Sequence, residues 1–364
     1  MTEVKSHVTI KDIASFAGVS PATVSRVLND SGYVGGETRR RVEAAIVELG
    51  YRPDARARGL RGMPSKLVAL IIPDILNVYY TAVSQAIEHQ LAQRGYIMLL
   101  GITRESAERY IDYLQFLWER KVDGIIYVPP AKGDYSDHTR RLVRQGSPFV
   151  EINRQREVDL LDCVLADNLR GAYRATQHLI GLGHERISLI VGSPETTTGA
   201  DRIQGFKHAM MDAGLEVDPD LLRVGDFTKD HGFEATEQLM ALSPRPTAIF
   251  ATSNRLLVGT MTALARRGIR VPDEVSVVAF DDSEWLGFWQ PPVTTVDIAV
   301  EEMGMLAVDL LLRWMRDGHP PDKPRTYSLS TMLVERNSCR PLDSRHEPVH
   351  HGSAVELPAA LSPL

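Results

Sequence analysis

The sequence predicts an α/β protein in two parts: a small all-α helix-turn-helix domain at the N-terminus, followed by a pair of doubly wound α/β subdomains. Three observations carry that expectation. The stretch VTIKDIASFAGVSPATVSRVLN (residues 8–29) holds two short amphipathic segments that meet at a Gly-Val-Ser corner. From Lys66 onward, apolar strand-like runs alternate with amphipathic helical ones, the pattern of parallel sheets covered on both faces. The alternation restarts near residue 186, so one such set follows another.

In chain order, Thr9 is suited to cap a first helix over 10–17, with Asp12 placed for a reciprocal bond. Ile13, Ala14 and Ala17 form its apolar side, and Gly18 supplies the corner. Ser20 then caps a second helix that has Pro21 at its first position, where a missing N–H costs nothing. Ala14, Gly18 and Val24 are the small residue, corner glycine and aliphatic that let two helices cross closely, which is helix-turn-helix geometry. An ordinary helical corner would demand the same apolar positions, so the polar ones discriminate. Ala22 and Arg26 lie four apart on the outer face near the start of the second helix, the part that reaches base edges. Arg26 can bind guanine through two bonds, and Ala22 can meet a thymine methyl. Ser20, Thr23, Ser25 and Asn29 suit phosphates. A third helix, ETRRRVEAAIVELGY, closes the core with Val42, Ala45, Ile46 and Leu49. Its Arg39, Arg40 and Arg41 read equally as a phosphate patch or a solvated face.

The next segment, RPDARARGLRG (52–62), places Leu60 among Arg56, Arg58 and Arg61. A single large apolar residue among arginines suits a wedge between bases in the minor groove. A plain linker is the alternative.

In the large domain, strands are expected over 67–73, 96–101, 122–128 and 148–153, with helices over 79–94 and 105–120. The second set has strands over 186–192, 221–227, 247–252 and 275–281. Ligands of such sheets sit beyond the carboxyl ends of the strands. The polar and aromatic residues expected there are Tyr79, Tyr80, Asn153, Arg154 and Asp167 in the first set, and Thr198, Arg202, Phe227, Ser253, Asn254 and Asp281 in the second. An Arg fork and an Asp acceptor pair suit vicinal hydroxyls. Asp281 also reads as a strand-end cap and Phe227 as a core residue.

Composition narrows the rest. The chain of 364 residues is 43% hydrophobic and 24% charged, the profile of a globular protein of two to three domains. No run approaches a membrane span, and the first residues lack the apolar core of a signal peptide, so a cytoplasmic protein is expected. Cys163 and Cys339 form no CxxC pair, which argues against structural zinc or a disulfide framework. Net charge is −6, yet residues 1–62 hold ten Lys/Arg against seven Asp/Glu, a mild pointer to a polyanion. GSPETTTG has no lysine after a glycine pair, and no GxGxxG or GxSxG motif occurs, so no catalytic constellation, cofactor or metal site is expected. His178 and His184 read as packing residues, and the tail 341–364 as disordered, its His346, His350 and His351 included.

The order VTIKDIA, AGVS, TVSRVLN, TRRRVEAAIVELGYRP and ARGL resembles the LacI/GalR family of bacterial transcriptional repressors, and the likeness extends to about residue 340. Gly35 departs from the serine common there, Pro21 from a hydrogen-bonding side chain, and Asn254 from an Asp. The resemblance implies a helix-turn-helix domain at 1–53, a hinge at 54–65 and a periplasmic-binding-protein-like effector domain at 66–340. Lobe one would comprise 66–167 and 298–327, and lobe two 168–297 and 328–340. TTTGADRIQGF, VGDF and VAFDD match the family's effector segments, which implies that Arg202 and Asp281 grip ligand hydroxyls while Phe227 packs on a ring. A homodimer on a palindromic operator, switched by a sugar or sugar derivative, is the expected function. A purine effector is the runner-up, and a solute-binding receptor for a transporter is the distant third.

Overall fold

The computed structural model describes residues 8–28, 31–51 and 64–342. The chain divides into two compact units, residues 1–65 and 66–364. Asn29, the linker residues Arg56, Leu60 and Arg61, and the tail from 343 lie outside the described residues.

Among the described residues, the first unit contains three helices, α1 (Ile10–Ala17), α2 (Pro21–Leu28) and α3 (Gly36–Glu48). Thr9 Oγ1 accepts from Asp12 N, and the Asp12 carboxylate accepts from Thr9 N at 2.7 Å, which closes both ends of a capping box. Gly18 ends α1 in the left-handed region at φ 64°, where a side chain would be strained. Ser20 Oγ accepts from Thr23 N at 3.1 Å and so caps α2. Helices of eight residues are marginal alone. What holds them is the shared core of Ile13, Ala14, Ala17, Val24, Val27, Val42 and Ala45, with Ile46 and Leu49 packed against it.

Among the described residues, the second unit holds two six-stranded sheets. Lobe one is built on β1 (Leu67–Ile72), β2 (Ile97–Ile102), β3 (Gly124–Tyr127), β4 (Phe149–Ile152) and β5 (Cys163–Ala166), with helices α4 (Val78–Gln93), α5 (Ala107–Glu119) and α6 (Ser136–Arg144) between them. Lobe two is built on β6 (Ile187–Val191), β7 (Leu222–Val224), β8 (Ala248–Ala251), β9 (Ser276–Phe280) and β10 (Thr294–Ile298), interleaved with α7 (Asn168–Gly181), α8 (Thr197–Asp212), α9 (Lys229–Met240) and α10 (Asn254–Arg266). α11 (Val300–Asp317) then returns the chain to lobe one, where β11 (Thr326–Leu329) joins β5, and β12 (Thr331–Val334) joins β10.

The sheet orders are β11-β5-β4-β3-β1-β2 and β12-β10-β9-β8-β6-β7, so the lobes are topological copies and β4 corresponds to β9. Every pairing is parallel except β10 with β12. The inner strands β3, β4, β8 and β9 are buried throughout, as continuous apolar runs in doubly covered sheets should be.

Two boundaries differ from expectation. Ile298 pairs with Thr331 and belongs to lobe two, while Ser328 and Leu329 pair with Leu165 and Ala166 and belong to lobe one. The crossings therefore fall at Ala299 and Ser330, rather than at residues 298 and 327. β11 and β12 are edge strands separated by a single residue, so no turn signal marks the change of sheet. The chain is also still engaged with lobe two at Leu342, whose N–H donates to Leu182 O at 2.8 Å. The strand expected over 221–227 ends at Val224, which leaves Phe227 in a loop. Among the described residues, no helix is long and apolar enough to cross a membrane.

Candidate functional site

On the first unit, burying Val24 and Val27 turns the opposite side of α2 outward. Ser20, Pro21, Ala22 and Arg26 are exposed there, with Thr23 and Ser25 half-buried beside them. Ser20 and Thr23 also share a hydroxyl hydrogen bond of 2.9 Å. That bond uses one of their two hydroxyl hydrogens and leaves the other for an acceptor such as a phosphate oxygen. Tyr33, in the turn after α2, is 94% exposed and was not singled out from sequence. An aromatic residue inside the polar run NDSGYVGGE was the available signal. Arg40 reaches back to Gly36 O at 3.3 Å, so part of the arginine run serves its own helix.

In the second unit, a cavity of about 640 Å³ lies between the lobes, within the size range of small-molecule sites. Nine of the eleven residues expected at the strand ends line it: Tyr79, Tyr80, Asn153, Arg154, Thr198, Arg202, Phe227, Ser253 and Asp281. Two do not. Asp167 caps α7 with its carboxylate, which accepts from Arg170 N at 3.0 Å, so the side chain is tied to its own helix. Asn254 is the first residue of α10, and its backbone N–H points to Asp281 Oδ2 at 3.4 Å, but its side chain is not part of the wall.

The floor is charged and buried. Arg202 lies with its guanidinium 3.6 Å from the Phe280 ring centre. Its Nε donates to Asn168 Oδ1 at 2.9 Å, and Nη1 donates to Thr252 O. Nη2 stands 3.6 Å from Asp281 Oδ1, close enough to pair charges but too far for a hydrogen bond. Burial pushes the Asp281 carboxyl above the ordinary carboxylate range, and it lowers the Arg202 value from that of a free guanidinium. Tyr79 and Tyr80 pack edge to face at 5.2 Å, and burial pushes the Tyr80 phenol up to about 12. Arg154 makes a two-pronged bond to Glu105, 2.8 Å on each arm, and sits over the Phe227 ring. A Cβ added to Gly192 would come within 2.1 Å of that ring, so only glycine leaves room for Phe227 at the end of β6.

Asn153 and Asp281 follow the corresponding strands β4 and β9, and both are non-glycine residues in the left-handed region, at φ 63° and 73°. Such backbone costs on the order of 1–3 kcal/mol and tends to mark functional positions. Each also carries a buried side-chain oxygen with no hydrogen-bond partner, Asn153 Oδ1 and Asp281 Oδ1, and Thr198 Oγ1 and Arg154 Nε are likewise unsatisfied. A buried acceptor left unmade costs roughly 1–3 kcal/mol. Several of these atoms converge on one cavity, where Asn153 and Asp281 present acceptors and Arg154 a donor.

Sequence reasoning missed the mouth. Glu105, Asp226 and Lys132 line it, and Lys132 Nζ meets Asp226 across the lobes at 2.8 Å, while Arg255 meets Asp74 at 3.3 Å. Apart from Arg255, in the first turn of α10, these residues sit in loops with no periodic pattern, and they become neighbours only when the lobes face each other. His184, expected to pack, is buried with Nδ1 2.9 Å from Thr247 Oγ1 and Nε2 3.0 Å from Ser276 Oγ.

Comparison with known proteins adds to this geometry. Residues 9–54 match the family model described as bacterial regulatory proteins, lacI family, and residues 176–339 match that of a periplasmic binding protein-like domain. The chain is similar to the HTH-type transcriptional repressor PurR of Actinobacillus pleuropneumoniae serotype 3, with 33% identity over 92% of this chain and 99% of the relative. It is 35% identical to the transcriptional regulator DegA of Bacillus subtilis, over 81% of this chain and 88% of the relative. Among solved structures, the lac repressor dimer bound to operator and the anti-inducer ONPF matches with TM-score 0.80 and 27% identity, over 92% of this chain and all of that one. The CelR–cellobiose complex matches with TM-score 0.68 and 31% identity, over 91% of this chain and all of that one.

Proposed function

The chain belongs to the LacI family of bacterial regulatory proteins and is a DNA-binding regulator of transcription; from that premise we propose that it is a homodimeric repressor whose operator affinity is set by a sugar or sugar derivative in the interlobe cavity. Two N-terminal units occupy the half-sites of a palindromic operator, matching protein symmetry to DNA symmetry. Ala22 and Arg26 read base edges. Ser20, Pro21, Thr23, Ser25 and Asn29 lie along the backbone, and Arg56, Leu60 and Arg61 of the linker are assigned to the minor groove on their residue types. The lac repressor relative, solved as a dimer on operator, supports this arrangement.

The observation that carries the effector assignment is the set of unsatisfied buried atoms, Asn153 Oδ1, Asp281 Oδ1 and Thr198 Oγ1. Vicinal hydroxyls donate to the two acceptors and can accept from or donate to the threonine, while Phe227 offers a face for the ring. The CelR–cellobiose complex supports a saccharide. The PurR relatives favour a second reading, a purine whose ring N–H groups would meet the same acceptors. Ligand and operator are coupled reciprocally, so an inducer weakens DNA binding by the factor by which DNA weakens the inducer. Thermal-shift measurements against sugars and nucleobases, followed by gel-shift titration with the ligand that binds, test the proposal. Binding by a nucleobase alone would replace the sugar reading, and a ligand that leaves DNA affinity unchanged would remove the switch.

A further inference from the structure

We infer that the effector is not a neutral sugar but a polyhydroxylated ligand bearing an anionic group, a carboxylate or a phosphate, held at the cavity mouth by Arg104 and Arg109. The inference rests on the saccharide reading above and narrows its ligand class.

The charges lining the cavity do not cancel. Asp74 is met by Arg255, Glu105 by Arg154, Asp226 by Lys132 and Asp281 by Arg202. Two cations remain, Arg104 and Arg109, both in the lining and both exposed. Among the described residues, neither side chain makes an ion pair or a hydrogen bond. Glu108, an acid of the same turn, is bonded to Ser106 Oγ at 2.6 Å and is not part of the wall. Both arginines stand at one lip. Arg104 lies in the turn after β2 and Arg109 in the first turn of α5, whose amino end adds a favourable field for a negative group.

The cavity is thus divided by chemistry. Its floor presents buried acceptors that need hydroxyl donors, and its lip presents two guanidinium forks, which match the paired oxygens of carboxylate or phosphate. A neutral sugar satisfies the floor and leaves the lip unused. A uronic acid or sugar phosphate satisfies both.

The experiment is calorimetric titration of the full-length protein with glucose, galactose and mannose, each beside its uronic acid and its 6-phosphate. Two exposed charge contacts are each worth up to about fivefold, so one anionic member should bind on the order of tenfold tighter than its neutral parent. Whether the uronate or the phosphate shows that gain identifies the anion. The Arg104→Gln/Arg109→Gln double variant should lose the gain while its affinity for the neutral parent stays unchanged, and both arginines are exposed enough that the fold should tolerate the change. A neutral parent that binds as tightly as its acids, or a preference that survives the double substitution, overturns the inference while leaving the saccharide reading in place. If no member of the panel binds, the saccharide reading itself falls and this inference with it.

Discussion

Replacing Glu151 with glutamine is expected to remove a loss of stability that the protein suffers as pH rises toward neutrality. Glu151 lies on β4, fully buried, two residues before Asn153. Its carboxylate accepts from Tyr127 Oη at 2.7 Å and from the backbone N–H groups of Arg156 and Glu157 at 3.1 and 3.2 Å, which folds the 153–157 segment back so that Arg154 reaches the cavity. Burial dominates the balance and raises its pKa from 4.5 to about 7, with the neighbouring Glu157 adding to the rise. The folded state therefore holds a proton that the unfolded chain has released. The stabilisation is fully present below 4.5 and lost by the time pH has passed 7. At 1.36 kcal/mol per pH unit, the loss is about 3 kcal/mol, or roughly 5 °C in Tm for a unit of this size. Glutamine keeps an acceptor for the two N–H groups and a donor for Tyr127, without the charge. Between about pH 5 and about pH 8 the stability of the parent should fall relative to that of Glu151→Gln, with the variant the more stable at the alkaline end. Parallel pH profiles for the two proteins would refute the argument, because the buried carboxyl would then not be the group that titrates.

Three further substitutions separate the two sites. Arg26→Ala should lower selectivity for a duplex chosen by the parent protein by about 1–3 kcal/mol, read by competitive gel shift, and unchanged selectivity would remove Arg26 from base reading. Thr198→Val deletes an unsatisfied buried hydroxyl. Melting temperature should hold or rise while effector affinity falls by roughly 1 kcal/mol, and an unaltered affinity would take Thr198 out of the site. Gly192→Ala must displace the Phe227 ring, so ligand-induced stabilisation should shrink while DNA binding persists; a full ligand response would show that the ring does no binding.

The amino-acid order by itself determined the first helix and the start of the second, because caps, the glycine corner and apolar spacing act within one or two turns of chain. Thr9 and Asp12 close on each other three residues apart, and no distant contact is needed to read them. The same order located the inner strands, whose apolar runs must be buried on both faces, and nine cavity residues, because ligands of parallel sheets gather beyond the strand ends. Tertiary structure alone decided the rest. Asp167 and Asn254 sit at strand ends as well, but one bonds to its own helix and the other offers Asp281 only a backbone N–H. Lys132 and Asp226 are 94 residues apart, and Arg104 and Arg109 become surplus charge only when every other ionic group on the wall has found its partner. Pairing of that kind depends on how two lobes face each other across a cavity, a long-range arrangement that no local periodicity encodes.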